Sequence, residues 1–127
     1  IMNDITATDL QYKHGQFFLG KSLEKSAVVG PYLVTKDEVS SPESMSIVTK
    51  INGEIKQNAM TSEILFRIDD VLADISKVVP LEAGDIIATG TPAGVGSAQK
   101  PPRFLQPGDE IKITVEGIGT LTTVIGD

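Results

Sequence analysis

The clearest patterns in this chain are two alternating runs, each broken by a turn. Ser46-Ile47-Val48-Thr49-Lys50-Ile51 alternates, Asn52-Gly53 follows, and Glu54-Ile55-Lys56-Gln57-Asn58-Ala59 returns. A period of two sends every second side chain to one face of a strand, and Asn-Gly accepts the positive φ angles of a tight turn. The spacing predicts a β-hairpin. A second hairpin is predicted from Glu110 to Glu116 and Thr120 to Ile125 around Gly117-Ile118-Gly119, with Ile111, Ile113 and Val115 facing a core. Between the hairpins, Ile64, Leu65, Ile68, Val71, Leu72 and Ile75 recur at helical spacing, and Asp69 and Asp70 fall on the solvated side. One amphipathic helix is expected, starting at Glu63 or Ile68 and running to Lys77, with Pro80 closing it.

Weaker signals fill the rest. Ile1 to Thr6 reads as the end of a strand, and Thr6 as the cap of a short helix that Gly15 ends. Phe17-Phe18-Leu19 reads as a short buried run ahead of Gly20-Lys21-Ser22. Tyr32 to Thr35 and Ile86-Ile87-Ala88 read as strands, the second of them buried. A Gly- and Pro-rich loop follows from Gly90 to Gly108. Many short strands with one good helix predict a β-rich α+β domain, a sandwich or a rolled sheet.

At 127 residues the chain is one small domain's worth, and no apolar run approaches the roughly 18 residues of a membrane span. Eleven basic against seventeen acidic residues give a net charge of −6. That balance argues against nucleic acid or an anionic membrane as the main partner, because both need a basic face. The absence of cysteine removes disulfides, thiolate catalysis and cysteine-held metals, and fits a reducing cytoplasm. Ile1-Met2-Asn3-Asp4 has no basic leader, and a strand is already under way there; a fragment of a longer chain is expected.

Three places offer chemistry. Asp4 sits at a strand end, where a carboxylate either binds a hard cation or serves a turn. Lys21, between Gly20 and Ser22, either anchors a substrate oxygen or is a surface lysine. Thr89-Gly90-Thr91-Pro92-Ala93-Gly94-Val95-Gly96 either gathers backbone N–H groups around an anion or simply connects two elements. It is not a nucleotide loop, since no Lys-Ser/Thr follows it. His14 reads as exposed, and no Ser/His/Asp set is present.

Taken in order, these segments resemble one family. Asn3-Asp4-Ile5-Thr6-Ala7-Thr8-Asp9-Leu10-Gln11, Gly20-Lys21-Ser22, and Asn52-Gly53-Glu54 with Gln57 and Thr61-Ser62 are similar to segments of the fumarylacetoacetate hydrolase family. So is the run from Gly84 to Gly96, which fits a G-D-x-I-x-T-G-T-P-x-G-V-G signature without a gap. Pro107-Gly108-Asp109 and Glu116 to Leu121 resemble its tail.

The resemblance implies the family's C-terminal catalytic domain, a rolled β-sandwich with short helices, over residues 1–127. It implies a metal-dependent enzyme, with Mg²⁺ or Mn²⁺, acting on small oxo- or enol dicarboxylic acids. The reaction would be C–C hydrolysis, decarboxylation or enol–keto isomerisation, as in bacterial 2-hydroxyhepta-2,4-diene-1,7-dioate isomerases and their decarboxylase relatives. Asp4 would be a metal ligand, Lys21 would contact substrate oxygens, and Gln11 would bind substrate or position water. Gly90 and Thr91 would bind a substrate carboxylate or carbonyl. A homodimer, or association with a missing N-terminal part, would complete the protein. Thr8 stands where the family usually has Arg, and Lys25 where many members have Thr. The family's Glu-x-Glu metal ligands and its acid/base His, both upstream in sequence, are not in this chain. The rival reading is a truncated or degenerate member serving as a structural or binding module.

Overall fold

The computed structural model describes residues 1–126. Strand β1 (Met2–Asp4) pairs antiparallel with β2 (Ala27–Val29) in a two-stranded sheet. Strands β3 (Ser46–Ile51), β4 (Glu54–Met60), β5 (Glu110–Val115) and β6 (Gly119–Val124) form an antiparallel sheet in the order β4-β3-β5-β6. Helices α1 (Thr8–His14) and α2 (Phe17–Lys21) lie between β1 and β2, and α3 (Ile68–Ile75) lies between β4 and β5. Both predicted hairpins are present. Asn52 and Gly53 carry φ of 50° and 84°, the pair of positive angles that a two-residue turn needs.

Register assembles the core. Ile51 faces Ile111, Thr49 faces Ile113, Ile47 faces Val115, and Ile113 faces Leu121. Side chains in such rows share one face of the sheet, and here that face holds the buried Thr49, Ile111, Ile113, Val115 and Leu121. Complete burial of one such aliphatic side chain stabilises by about 1.5–3 kcal/mol. Between β3 and β4 the register shifts: Thr49 faces Gln57 and Lys50 faces Ile55, so Lys56 is an extra residue in a β-bulge.

A polar clamp ties the hairpins together. The Asn52 side chain donates to Asp109 Oδ1 at 2.7 Å and accepts the Glu110 amide at 2.9 Å, while Asp109 Oδ2 accepts the Gln106 amide at 2.9 Å. Asp109 is buried, and the Gln106 amide first, the Asn52 amide second and the nearby Arg103 charge last hold its carboxyl below the usual carboxylate range. A depressed folded pKa means stability that is present above the unfolded value and is lost as pH falls through the folded one. Urea midpoints are therefore expected to fall as the pH drops below the ordinary carboxylate range, and Asp109→Asn, which cannot ionise, to flatten part of that fall while lowering stability at neutral pH. An unchanged acid slope in the variant would place the titration elsewhere.

Several expectations are corrected. Tyr32 to Thr35 and Ile86 to Ala88 form no strand, and Ile86 is exposed rather than buried. A strand is defined by its ladder partner, and neither segment has one among the described residues. Phe17 and Phe18 are not buried either: they are 68% and 74% exposed. Helix α2 meets α1 through Gly20, and a Cβ there would lie 2.9 Å from the Ala7 carbonyl oxygen, so the backbones approach while the phenylalanines point away. That contact also moves the start of α1, because the Ala7 amide donates to the Gly20 carbonyl and Ala7, not Thr6, is the cap. Of the two starts expected for the amphipathic helix, Ile68 is the observed one, since Thr61–Glu63 is a separate 3-10 turn; the helix ends at Ile75 rather than Lys77, and none of its residues is buried.

Candidate active site

Alternation along β1 separates two roles that adjacent residues carry. Asn3 is buried, and its side-chain amide donates to Thr123 Oγ1 on β6 at 2.8 Å, joining the small sheet to the large one. Asp4, one residue on, must face the other way. It does, and there it meets Lys21 Nζ at 2.5 Å. The two are 17 residues apart in sequence. The lysine is placed by the Gly20 contact between α1 and α2, and by Ser26, whose buried hydroxyl donates to the carbonyls of Lys21 and Leu23 at 3.0 and 2.8 Å. Both side chains keep about a third of their surface, 34% for Lys21 and 37% for Asp4. An ammonium has three N–H donors, so those not used by Asp4 remain available to a ligand. Lys25, in contrast, is exposed in a left-handed conformation at φ 63° and only 4.0 Å from Glu24.

Gln11 is half-buried on α1, with its Cβ against Gly20. It thus stands one helix contact away from Lys21. Thr91 and Gly90 lie elsewhere, in the loop that crosses β4. Gln57 Nε2 donates to Thr91 Oγ1 and to the Pro92 carbonyl, both at 2.8 Å. Gln57 faces Thr49 in the ladder, so it stands on the core side of the sheet. Sequence reading assigned Gln57 no role; its place in the Asn-Gly-Glu segment was the available signal.

The glycines of this loop act by absence of a side chain. A Cβ on Gly94 would overlap the Lys56 carbonyl oxygen, and one on Gly96 would overlap the Arg103 carbonyl oxygen. The loop is a close-docked segment, held to β4 at one end and to residue 103 at the other. Beneath it lies a cavity of about 680 Å³, walled by Asn3, Thr49, Ile51, Gln57, Ile111 and Leu105 among others. The residues walling it include Asn3 and Gln57, but not Asp4, Gln11, Lys21, Gly90 or Thr91.

Asp4 offers the oxygen donor that Mg²⁺ or Mn²⁺ takes. Among the described residues, however, no three of His, Cys, Asp and Glu come together, and one Asp4 oxygen is already bonded to Lys21. The side chains of this chain do not by themselves fit a bound cation. Among the described residues, no helix is long and apolar enough to cross a membrane.

Residues 1–126 match the family described as fumarylacetoacetate (FAA) hydrolase C-terminal. The chain belongs to the fumarylacetoacetate hydrolase family. An uncharacterised protein of Staphylococcus epidermidis is 57% identical over 125 residues, which are 98% of this chain and 42% of that protein. The structure of a fumarylacetoacetate hydrolase from Exiguobacterium antarcticum superposes with a TM-score of 0.94 at 46% identity, over 98% of this chain and 45% of that one. A 2-hydroxyhepta-2,4-diene-1,7-dioate isomerase from Mycobacterium marinum gives 0.87 at 40% identity, over 98% and 46%. The chain therefore spans less than half the length of these relatives. Its antiparallel sheets and short helices are the fold of the family's C-terminal domain. Within that fold the Asn-Asp and Gly-Lys-Ser segments are one unit, joined by the Asp4–Lys21 pair.

Proposed function

We propose that this chain is part of an enzyme that acts on small oxo- or enol dicarboxylic acids, by C–C hydrolysis, decarboxylation or enol–keto isomerisation. The observation that carries the reading is the Asp4–Lys21 pair: a half-exposed ammonium fixed at 2.5 Å on a carboxylate, with N–H groups to spare. Hydrolysis and decarboxylation break a C–C bond whose electrons move toward the neighbouring oxo group, while an enol isomerises by losing its O–H proton and gaining one on carbon; each route passes through an enolate with negative charge on that oxygen. A preorganised ammonium stabilises that oxygen more as the charge grows, which is what lowers a barrier. Lys21 supplies the ammonium, and Asp4 holds it in place. Thr91, its hydroxyl oxygen already bonded by Gln57, offers an O–H to a substrate carboxylate at the other end. Gln11, against Gly20, is near enough along α1 to orient water or substrate beside Lys21. A divalent cation would find one ligand in Asp4, with the others supplied from outside this chain; when bound, it would polarise the same oxo group.

The test is turnover of 2-hydroxyhepta-2,4-diene-1,7-dioate by the full-length polypeptide, followed by loss of the conjugated absorbance. Activity is expected, with abolition by EDTA and return on adding Mg²⁺ or Mn²⁺. A full-length protein that folds but turns over neither this acid nor shorter and longer oxo-diacids is a binding or structural module instead.

The same reading carries an expectation for assembly. Tyr12, Phe18, Leu65 and Phe66 are 64–86% exposed, and such surface favours association. Light scattering on residues 1–127 alone is expected to give dimers or larger species. A monodisperse monomer at about 100 μM would show that this surface is tolerated in water.

A further inference from the structure

The Gln57 amide settles which way the Thr91 hydroxyl points. The Pro92 carbonyl has no proton to give, so the Gln57 atom 2.8 Å from it must be the NH₂ group and not the amide oxygen. The same nitrogen lies 2.8 Å from Thr91 Oγ1. One N–H goes to each oxygen, and Thr91 must accept. A hydroxyl that accepts from Gln57 keeps its single proton for another partner. Gln57 is itself held by the ladder opposite the buried Thr49, and by Gly94, where an added Cβ would come within 3.2 Å of Gln57 Cγ. Turning the amide over would set its oxygen against the Pro92 carbonyl oxygen, so the orientation with the NH₂ group toward Pro92 is the stable one.

We propose that Gln57 is a positioning residue that makes Thr91 an obligate hydrogen-bond donor, so that the ligand group seated at Thr91 is an acceptor: a carboxylate or carbonyl oxygen, not a hydroxyl proton or an ammonium. This rests on the substrate role given to Thr91 above. Gln57→Glu keeps the length of the side chain and reverses the polarity. A carboxylate there accepts the Thr91 proton and repels the Pro92 carbonyl, so the hydroxyl turns inward and the ligand loses its donor.

The experiment uses the full-length enzyme and the diene-dioate above, with circular dichroism and a urea midpoint on each variant. Thr91→Val is expected to raise KM by about 10–100-fold and to change kcat by less than about threefold, as fits one hydrogen bond to a charged group. Gln57→Glu is expected to match it, and Gln57→Met, which only frees the hydroxyl, to raise KM less. In the Thr91→Val background, Gln57→Glu should add almost nothing to KM. If Thr91→Val raises KM and Gln57→Glu does not, or if the two effects multiply, Gln57 is a staple for the loop and the inference fails while the role of Thr91 stands. If Thr91→Val leaves KM unchanged, the substrate role of Thr91 fails and takes the inference with it. Absence of turnover in the unsubstituted enzyme does the same. A Gln57→Glu protein that does not fold leaves the comparison to Gln57→Met, whose KM must then exceed that of the parent.

Discussion

On the proposed function, Lys21→Ala in the full-length protein is expected to lower turnover by about 10²–10³-fold, the loss typical of one preorganised donor to a developing oxyanion. Lys25→Ala changes it by no more than about twofold, as for other exposed surface positions. The contrast is between two lysines four positions apart whose surroundings differ. Lys21 is fixed on Asp4 and on the α1–α2 contact, whereas the Lys25 side chain is 87% exposed beside Glu24. Lys21→Arg does not rescue, because the planar guanidinium is longer and forks, and it cannot put a compact charge where the ammonium sits against Asp4. Removing Lys21 leaves Asp4 without its partner. Asp4 is exposed, so water replaces the lysine at little cost to stability. Steady-state kinetics on the diene-dioate, with circular dichroism as the folding control, measure the effect. Equal and small losses in both alanine variants would remove Lys21 from the chemistry.

Gly94→Ala destabilises the fold by about 2–4 kcal/mol, and Gly90→Ala by only about 1–2 kcal/mol. The two glycines have nearly the same backbone angle, φ of 109° and 110°, so the conformational strain of adding a side chain is common to both. They differ in what the new methyl meets. At Gly90 there is nothing within 4 Å, whereas at Gly94 the methyl overlaps the Lys56 carbonyl oxygen of the bulge in β4. Backbone cannot step aside as the end of a flexible side chain can. The difference between the variants isolates the close docking of the loop on the sheet, and urea denaturation at neutral pH reads it directly. The same docking sets Gln57 against Pro92 and Thr91, so on the role proposed for Thr91 Gly94→Ala is also expected to raise KM for the diene-dioate. Equal stability losses at the two positions would show that the loop stands off the strand.

The sequence by itself determined the two hairpins, because turn chemistry and a period of two act over a few residues: Asn52-Gly53 and Gly117 to Gly119 have the angles and places expected of them. It determined the buried face of β5 for the same reason, and it marked Asp4, Lys21 and the Thr-Gly-Thr-Pro run as places where chemistry could sit. Their partners were another matter. That Asp4 faces Lys21 while Asn3 holds Thr123 120 residues away follows from where β1 is laid against β6. The likeness of the Asn-Gly-Glu and Pro-Gly-Asp segments to their family carried no hint that Asn52 and Asp109, 57 residues apart, clamp two hairpins together. Tyr32 to Thr35 and Ile86 to Ala88 have strand-like composition and form no strand, since a strand exists only where another backbone offers its donors and acceptors. Phe17 and Phe18 are apolar and exposed, because α2 meets α1 through its Gly20 face. Tertiary structure decided each of these, through hydrogen bonds and close contacts between segments remote in the chain, and composition and periodicity do not encode which remote segment comes near.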